Sequence, residues 1–114
     1  MYDKENIFAK IIRGEIYSPK VYEDEYIIAI KDIKPIAPIH ILVMPKGEYQ
    51  DFNDFSQRAT LKELSHFFKK IVDIARFQGA NEYRVISNNG FSSGQMVFHF
   101  HTHIISGINL NKLI

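Results

Sequence analysis

The stretch "VFHFHTHIIS", residues 97–106, places three histidines, His99, His101 and His103, at every second position. Alternate side chains of a β-strand point to the same face, about 6.6 Å apart along the strand. A strand here would present three imidazoles on one face and mainly apolar side chains on the other. A shift of the strand by one residue would bury all three imidazoles, so the pattern fixes the register. The sequence therefore predicts a strand with one core face and one functional face.

Three interpretations of these histidines compete. They can be ordinary half-exposed strand residues, although strict alternation of three is unusual for residues without a role. They can bind a metal, since neutral imidazole is a ligand for zinc, copper and nickel, and His40 can converge from another strand. Against this, residues 83–114 contain no Asp or Glu, and the chain contains no Cys. They can also catalyse, because imidazole is largely neutral and nucleophilic near pH 7.

In the catalytic interpretation the middle histidine, His101, attacks phosphorus. Attack requires one ring nitrogen to be free while the other donates its proton to a fixed acceptor. His99 and His103 would orient this ring or donate hydrogen bonds to phosphate oxygens. The preceding stretch "NNGFSSGQM", residues 88–96, is typical of a hairpin loop, but its glycines also let backbone amides approach a phosphate.

Composition excludes several other classes of protein. The 114 residues are 46% hydrophobic and 24% charged, which is typical of one folded domain over residues 1–114. A formal net charge of +1 gives no broad field for nucleic acid or a membrane surface. The absence of Cys excludes disulfides and thiolate chemistry. The N-terminal stretch resembles neither a secretory signal nor a membrane span, so we expect a cytoplasmic protein.

Hydrophobic periodicity predicts one short and one long helix. In "NIFAKIIRGE", residues 6–15, apolar residues recur at near-helical spacing, and Gly14 ends the segment. Residues 56–80 contain the longest periodic segment, with Ser56 as a possible cap and Gly79 as a stop signal. Its apolar stripe consists of Leu61, Leu64, Phe68, Ile71, Val72 and Ala75. Such a stripe is typical of an amphipathic helix on a core.

Five segments have the character of strands. Residues 20–33, "KVYEDEYIIAIKDI", predict two strands joined by the polar turn Glu23–Glu25. Prolines bracket a third strand over Ile39–Met44, since proline suits strand ends. The fourth is "EYRVISN", residues 82–88, and the histidine stretch is the fifth. Strands and helices do not alternate regularly, which favours an α+β fold with an antiparallel sheet of about five strands.

The sequence resembles the histidine triad, or HIT, superfamily. "HFHTHII", residues 99–105, is similar to its His-φ-His-φ-His-φ-φ motif, where φ is apolar. "NIFAKIIRGEI", "VYEDEYIIAIKDIKPIAPIHILVMPK" and "NNGFSSGQMVFHFHTHII" resemble, in that order, landmarks of the Hint branch. The N-terminal helix favours Hint over the Fhit branch, which cleaves dinucleoside polyphosphates. The resemblance implies a HIT-like fold and a purine nucleotide-binding homodimer that hydrolyses nucleoside 5′-phosphoramidates and related mixed anhydrides, with no cofactor required.

The resemblance also implies roles for individual residues. His101 matches the nucleophile, which forms a covalent nucleotidyl-histidine intermediate at the α-phosphorus. His99 and His103 match the flanking members that support it and contact the phosphate, and His40 matches a fourth family histidine near the site. The residues that match nucleotide contacts are Asp32, Ile33, Asn88, Gly94, Gln95, Met96, Ile7, Phe8, Ile11 and Leu42.

Some of these matches have a second interpretation. Asp32 can accept hydrogen bonds from the ribose hydroxyls, but it is also a typical turn aspartate before Pro35. The apolar matches can surround the base, form ordinary core, or do both.

Departures from the family pattern limit what the resemblance implies. Met96 replaces a serine of many Hint relatives, and methionine cannot donate a hydrogen bond, so we expect slower amine release unless Ser92 or Ser93 substitutes. Asn6 and Ala9 replace a Cys-x-x-Cys that contributes to a structural zinc site in some bacterial relatives, so we expect no zinc. Two other functions stay open: a metal-dependent hydrolase that uses the histidine cluster, and a nucleotide-binding regulatory module with little turnover.

Overall fold

A five-stranded antiparallel sheet forms the centre of the computed structural model, which describes residues 1–111. The strands are β1 (Lys20–Glu23), β2 (Ile27–Lys31), β3 (Ile39–Pro45), β4 (Arg84–Ile86) and β5 (Thr102–Ser106). Their order across the sheet is β1-β2-β3-β5-β4, and every neighbouring pair is antiparallel. The α+β fold and the number of strands are as predicted.

Within the described residues, three α-helices accompany the sheet. They are α1 (Ile7–Ile12), α2 (Phe52–Arg58) and α3 (Leu61–Phe77), and a 3₁₀ turn spans Phe91–Ser93. Within residues 1–111, none of these helices is both long and apolar enough to cross a membrane.

The predicted long helix over residues 56–80 is in fact divided, and α2 was not predicted. Ser56 does not cap a helix but lies inside α2. Helix α3 begins after Thr60, whose side chain accepts from the Glu63 N–H while the Glu63 carboxylate accepts from the Thr60 N–H. This reciprocal pair is a capping box, which starts a new helix at Leu61. The stop signal was correct, since Gly79 follows the helix with a positive φ of 86°.

The buried face of α3 also differs from the predicted stripe. Its buried side chains are Phe67, Ile71, Ile74 and Ala75. Leu61, Phe68 and Val72 are exposed by 86%, 49% and 42%. The apolar residues at 67–68 and at 71–72 are adjacent pairs. The sequence therefore allows two apolar stripes, one through residues 67 and 71 and one through residues 68 and 72. Packing on the sheet selects the first stripe and leaves the second on the surface.

The sheet separates two apolar layers. On one face, α2 and α3 cover a core that includes Ile41, Val43 and Ile104. On the other face, α1 contributes Phe8 and Ile11 to a smaller layer. The register aligns three residues across this second face: Ile30 of β2 pairs with Leu42 of β3, and Leu42 pairs with His103 of β5. The functional side of the sheet is therefore the side of α1.

The predicted histidine strand over residues 97–106 is shorter than expected. Regular pairing begins only at Thr102, and residues 97–99 form a bend. The buried Gln95 amide donates to the carbonyls of Gln50 and Val97, at 2.8 Å and 3.0 Å. These hydrogen bonds stabilise the bend in place of an extended strand. His99 and His101 consequently lie outside the regular strand, and simple alternation does not decide where the His99 ring points.

Thr102 provides a test of the packing beneath the histidines. Its side chain is 2% exposed, and its hydroxyl has no hydrogen-bond partner among the described residues. A buried polar group without a partner costs roughly 1–3 kcal/mol. We therefore expect Thr102→Val to raise the free energy of unfolding by about 1 kcal/mol in urea denaturation.

Thr102→Ser is the matched control, because it keeps the hydroxyl and removes only the methyl group. It should lower the free energy of unfolding by about 1 kcal/mol. If the valine variant were less stable than the parent chain, the hydroxyl would have a favourable contact and the packing described here would be wrong.

Candidate active site

His101 is held with one ring nitrogen engaged and the other free. Its Nδ1 lies 2.8 Å from the carbonyl oxygen of His99. A carbonyl can only accept, so Nδ1 carries the proton and Nε2 keeps its lone pair. The ring packs edge-on against Phe8, with the ring centroids 4.9 Å apart. Burial lowers the pKa of His101 from its ordinary value, with the His99 carbonyl acting in the opposite sense, so the ring is a neutral base.

His103 is linked to His40 by a hydrogen bond between imidazoles. The backbone N–H of Ile36 donates to His40 Nδ1 at 3.2 Å, so the proton of neutral His40 is on Nε2. That Nε2 lies 2.9 Å from His103 Nδ1 and donates to it. Neutral His103 must then carry its own proton on Nε2. Burial and the nearby His101 and His40 lower the pKa of His103 to about 4.

His99 is buried away from the other two members of the triad. Its ring is 0% exposed, and its Nε2 lies 2.7 Å from the carbonyl oxygen of Pro45. Its Nδ1 lies 2.6 Å from the hydroxyl of Tyr2. Burial lowers the pKa of His99 to about 4. With both nitrogens occupied, the ring has no atom left for a phosphate, and the support that His99 gives to His101 comes from its backbone carbonyl.

A cavity of about 560 Å³ opens beside His101 and His103. Eleven of the predicted site residues line it: His101, His103, Asp32, Ile33, Asn88, Gly94, Met96, Ile7, Phe8, Ile11 and Leu42. Phe8, Ile11 and Leu42 also belong to the α1 layer, so these three residues are part of the core as well as of the cavity wall, and their contact with a base stays a prediction. His40, His99 and Gln95 are the predicted residues that do not reach the cavity. Gln95 instead holds the loop, because its side chain also accepts from the Gly90 N–H at 2.9 Å.

Asp32 takes part in a turn and also lines the cavity, while its contact with ribose hydroxyls stays a prediction. One carboxylate oxygen accepts from the Lys34 N–H at 2.8 Å, as in a turn aspartate. The other lies 3.3 Å from His40 Nε2, and the residue lines the cavity. A carboxylate has about four lone-pair positions, so it retains acceptor capacity for a ligand hydroxyl.

The loop before the triad supplies one wall of the cavity. Gly94 has a φ of 101°, in the region that favours glycine, and it lies against the Asn88 amide. Met96 is 78% exposed at the cavity edge. Neither Ser92 nor Ser93 is among the residues that line the cavity, so the expected substitution for the missing serine hydroxyl has no support from the fold.

Comparison with known proteins places this arrangement in a family. The family model described as the HIT domain matches residues 13–110. The chain belongs to the HIT family. A HIT-like protein of Rickettsia prowazekii is 53% identical over 116 residues, which cover 100% of this chain and 97% of that protein.

Solved structures agree with the sequence comparison. A histidine triad protein from Clostridium difficile has a TM-score of 0.88 and 40% identity, and the match covers 100% of both chains. A HIT family hydrolase from Legionella pneumophila has a TM-score of 0.88 and 32% identity, over 96% of this chain and 98% of the other. The HIT fold of this chain is therefore shared over nearly its full length.

Several residues of this HIT site were not predicted from the sequence. Ser18, Ile30, Lys31, Lys34 and Val97 also line the cavity. Ile30 could have been found, since it lies two positions before Asp32 and alternate residues of the predicted strand share a face. Tyr2 and Ser18 lie in irregular segments, where no periodicity indicates the direction of a side chain. Asn6 and Ala9, the positions considered for zinc, form the start of α1 instead: the Asn6 side chain accepts from the Ala9 N–H at 2.8 Å.

Two histidines of this HIT site, with Asp32, form a group that could in principle bind a metal ion. Among residues 1–111, Asp32, His40 and His103 form a group whose possible ligand atoms lie within 4.8 Å of one another. A cation would have to bind His40 through Nε2, which requires the ring proton to move to Nδ1. That nitrogen already faces the N–H of Ile36. The hydrogen bonds of this group therefore favour a proton-ordered pair of imidazoles over a set of metal ligands.

The lowered pKa values of the HIT histidines predict a pH-dependent stability. His99 and His103 are neutral in the folded chain down to a pKa of about 4, whereas the unfolded chain binds protons near pH 6.5. Their contribution is fully present above about pH 6.5 and is lost as the pH falls towards about 4. Each should lower the free energy of unfolding by up to about 1.4 kcal/mol per pH unit in that range.

Urea denaturation between about pH 7 and about pH 4.5 measures this dependence, since few carboxylates titrate there. His103→Gln is the control. It should reduce the change in the free energy of unfolding per pH unit by the contribution of one histidine. A free energy of unfolding that stays constant across this range would contradict the assignment of both rings as buried and neutral.

Proposed function

We propose that this chain is a Hint-type hydrolase that cleaves purine nucleoside 5′-phosphoramidates, or related nucleoside phosphate conjugates, through a covalent nucleotidyl-histidine on His101. The observation that supports this most directly is the free Nε2 of His101 beside the cavity, with Nδ1 held by the His99 carbonyl at 2.8 Å. Helix α1 supports the Hint branch, because its residues Phe8 and Ile11 form part of the cavity wall.

The order of the strands suggests how a nucleotide lies in the cavity. His103, Leu42 and Ile30 follow one another across β5, β3 and β2, so the first and last are separated by two strand spacings, about 10 Å. The phosphate belongs at the histidine end. The base belongs against the apolar wall that includes Phe8 and Leu42, and the Asp32 carboxylate is then available to the ribose hydroxyls.

In the first step, the Nε2 lone pair of His101 attacks the α-phosphorus and the phosphorus–nitrogen bond breaks. The departing amine takes a proton from solvent, because Met96 has none to give. The imidazole becomes a cationic nucleotidyl-imidazole whose remaining proton, on Nδ1, stays hydrogen-bonded to the His99 carbonyl. A fixed acceptor for that proton stabilises the positive charge as it develops.

In the second step, water attacks the same phosphorus and the bond to His101 Nε2 breaks. His101 leaves as the neutral imidazole with which it started, the phosphate gains the hydroxyl of water, and a proton returns to solvent. The Nε2–H of His103 is placed to donate to a phosphate oxygen in both steps, because His40 occupies its Nδ1. Neither step requires a metal or a redox cofactor.

The proposed enzyme is a homodimer. The exposed side of α3 carries Leu61, Phe68 and Val72, and Val85 on the edge strand β4 is 45% exposed. Among the described strands, β4 lies at one end of the sheet, next to β5. Exposed apolar residues that lie together on a surface are typical of an interface between copies of a chain.

We expect Val72→Lys to shift the protein from dimer to monomer, because it places a charge in an apolar interface. Sedimentation equilibrium measures the change. Tyr17→Lys is the control, since Tyr17 is 88% exposed and lies outside α3 and β4. A monomeric parent chain, or a Val72→Lys variant that dimerises like the parent, would contradict the proposed interface.

The central test of the proposed reaction follows AMP release from adenosine 5′-phosphoramidate in excess chelator. The parent chain and His101→Ala are compared side by side by chromatography. We expect turnover by the parent to persist in chelator and to fall at least about 10³-fold in the variant, because no other free imidazole nitrogen faces the phosphorus in the described chain.

The other results of this test point to the two remaining functions. Loss of activity in chelator would show that the histidines act through a metal and would contradict the covalent mechanism. Tight binding of AMP without turnover by either protein would favour the regulatory module.

A further inference from the structure

Tyr2 contacts the histidine triad from the opposite end of the chain. Its hydroxyl oxygen lies 2.6 Å from His99 Nδ1, across a separation of 97 residues. The two rings meet edge to face, with centroids 5.7 Å apart and an interplanar angle of 73°. Tyr2 does not line the cavity beside His101. Its contact with the triad is the one with His99.

The direction of this hydrogen bond follows from the other side of the His99 ring. Nε2 faces the Pro45 carbonyl at 2.7 Å and must carry the ring proton, which leaves Nδ1 as an acceptor. The Tyr2 hydroxyl therefore donates. Burial raises the pKa of Tyr2 above its ordinary value, so the hydroxyl keeps the proton that it donates. The ring of His99 is fixed at both nitrogens.

The backbone of His99 in turn fixes the nucleophile. Its carbonyl oxygen is the acceptor for His101 Nδ1 at 2.8 Å. Residues 97–99 form a bend outside the regular sheet, and one backbone hydrogen bond holds the peptide unit of this carbonyl: the Phe100 N–H donates to the Tyr49 carbonyl at 2.7 Å. The two bonds of the His99 ring, to Pro45 and Tyr2, are the side-chain anchors next to it.

We propose that Tyr2 is a positioning residue for the reaction at His101. Its hydroxyl holds the tautomer and orientation of the His99 ring, and the His99 carbonyl thereby holds the His101 ring with Nε2 towards the phosphorus. The consequence for catalysis rests on the proposed function, whereas the consequence for the two rings can be observed without substrate.

Tyr2→Phe tests this proposal, because it keeps the ring and removes only the hydroxyl. We expect kcat for adenosine 5′-phosphoramidate to fall about tenfold, the size expected for loss of one hydrogen bond that holds the nucleophile. KM should stay within about twofold, since Tyr2 does not contact the nucleotide cavity. Tyr17→Phe is the matched control, 88% exposed, and should keep the parental kcat and KM.

Nitrogen-15 NMR of histidine-labelled protein without substrate gives a second measurement. The parent chain should show His99 with its proton on Nε2 and a His101 Nδ1 proton that exchanges slowly with water. In Tyr2→Phe, we expect His99 to populate both tautomers and the His101 Nδ1 proton to exchange faster. These signals report the orientation of the rings and not the overall stability of the fold.

Two results would overturn the proposal. One is a Tyr2→Phe variant with parental kcat and parental histidine signals. The other is a variant whose kcat, KM and unfolding midpoint all change while the His101 Nδ1 signal does not, because Tyr2 would then only stabilise the fold. If the parent chain does not turn over the phosphoramidate, the proposed function fails, and the NMR comparison still decides whether Tyr2 positions the rings.

Discussion

The hydrogen bond from His101 Nδ1 to the carbonyl of His99 is the interaction on which the chemistry of this site depends. It determines that the free lone pair of His101 is on Nε2, and in the proposed reaction it would stabilise the positive charge that develops on the ring. His99 and His101 are only two positions apart in the chain. The orientation of the His101 ring therefore depends on the conformation of the backbone just before it. Everything that holds His99 in place therefore also holds His101.

Burial and hydrogen bonding act together on the imidazoles. Removal from water disfavours the charged form of each ring and lowers the pKa values of His99 and His103 to about 4. Hydrogen bonds from Ile36 and to Pro45 then decide which nitrogen of His40 and of His99 carries the proton. A neutral site with ordered protons favours a nucleophilic imidazole. The same burial makes the fold sensitive to acid, because protonation of these rings is favoured only after unfolding.

The sequence was sufficient to predict the α+β fold, the five strands and the HIT family. It was also sufficient to place His101 and His103 on one face, since alternation on a strand is a local property. It did not predict the burial of the His99 ring, because the bend at residues 97–99 depends on Gln95 and on Gln50, which is 45 positions away. Helix α2 was missed although Asp51 caps it and Asp54 follows at the third position, since its apolar residues, Phe52 and Phe55, form one pair at helical spacing, which is too short a pattern to indicate a helix. Tyr2 gave no signal at all, because its partner is fixed only by the tertiary fold.

The most direct test of the account is to look for the covalent intermediate. A single turnover of adenosine 5′-phosphoramidate is stopped in base at successive times, and the digested protein is analysed by mass spectrometry. The account predicts a nucleotidyl group on His101 that appears before AMP and then disappears as AMP accumulates. Complete formation of AMP with no adduct at any time, or an adduct on His103 instead, would contradict it.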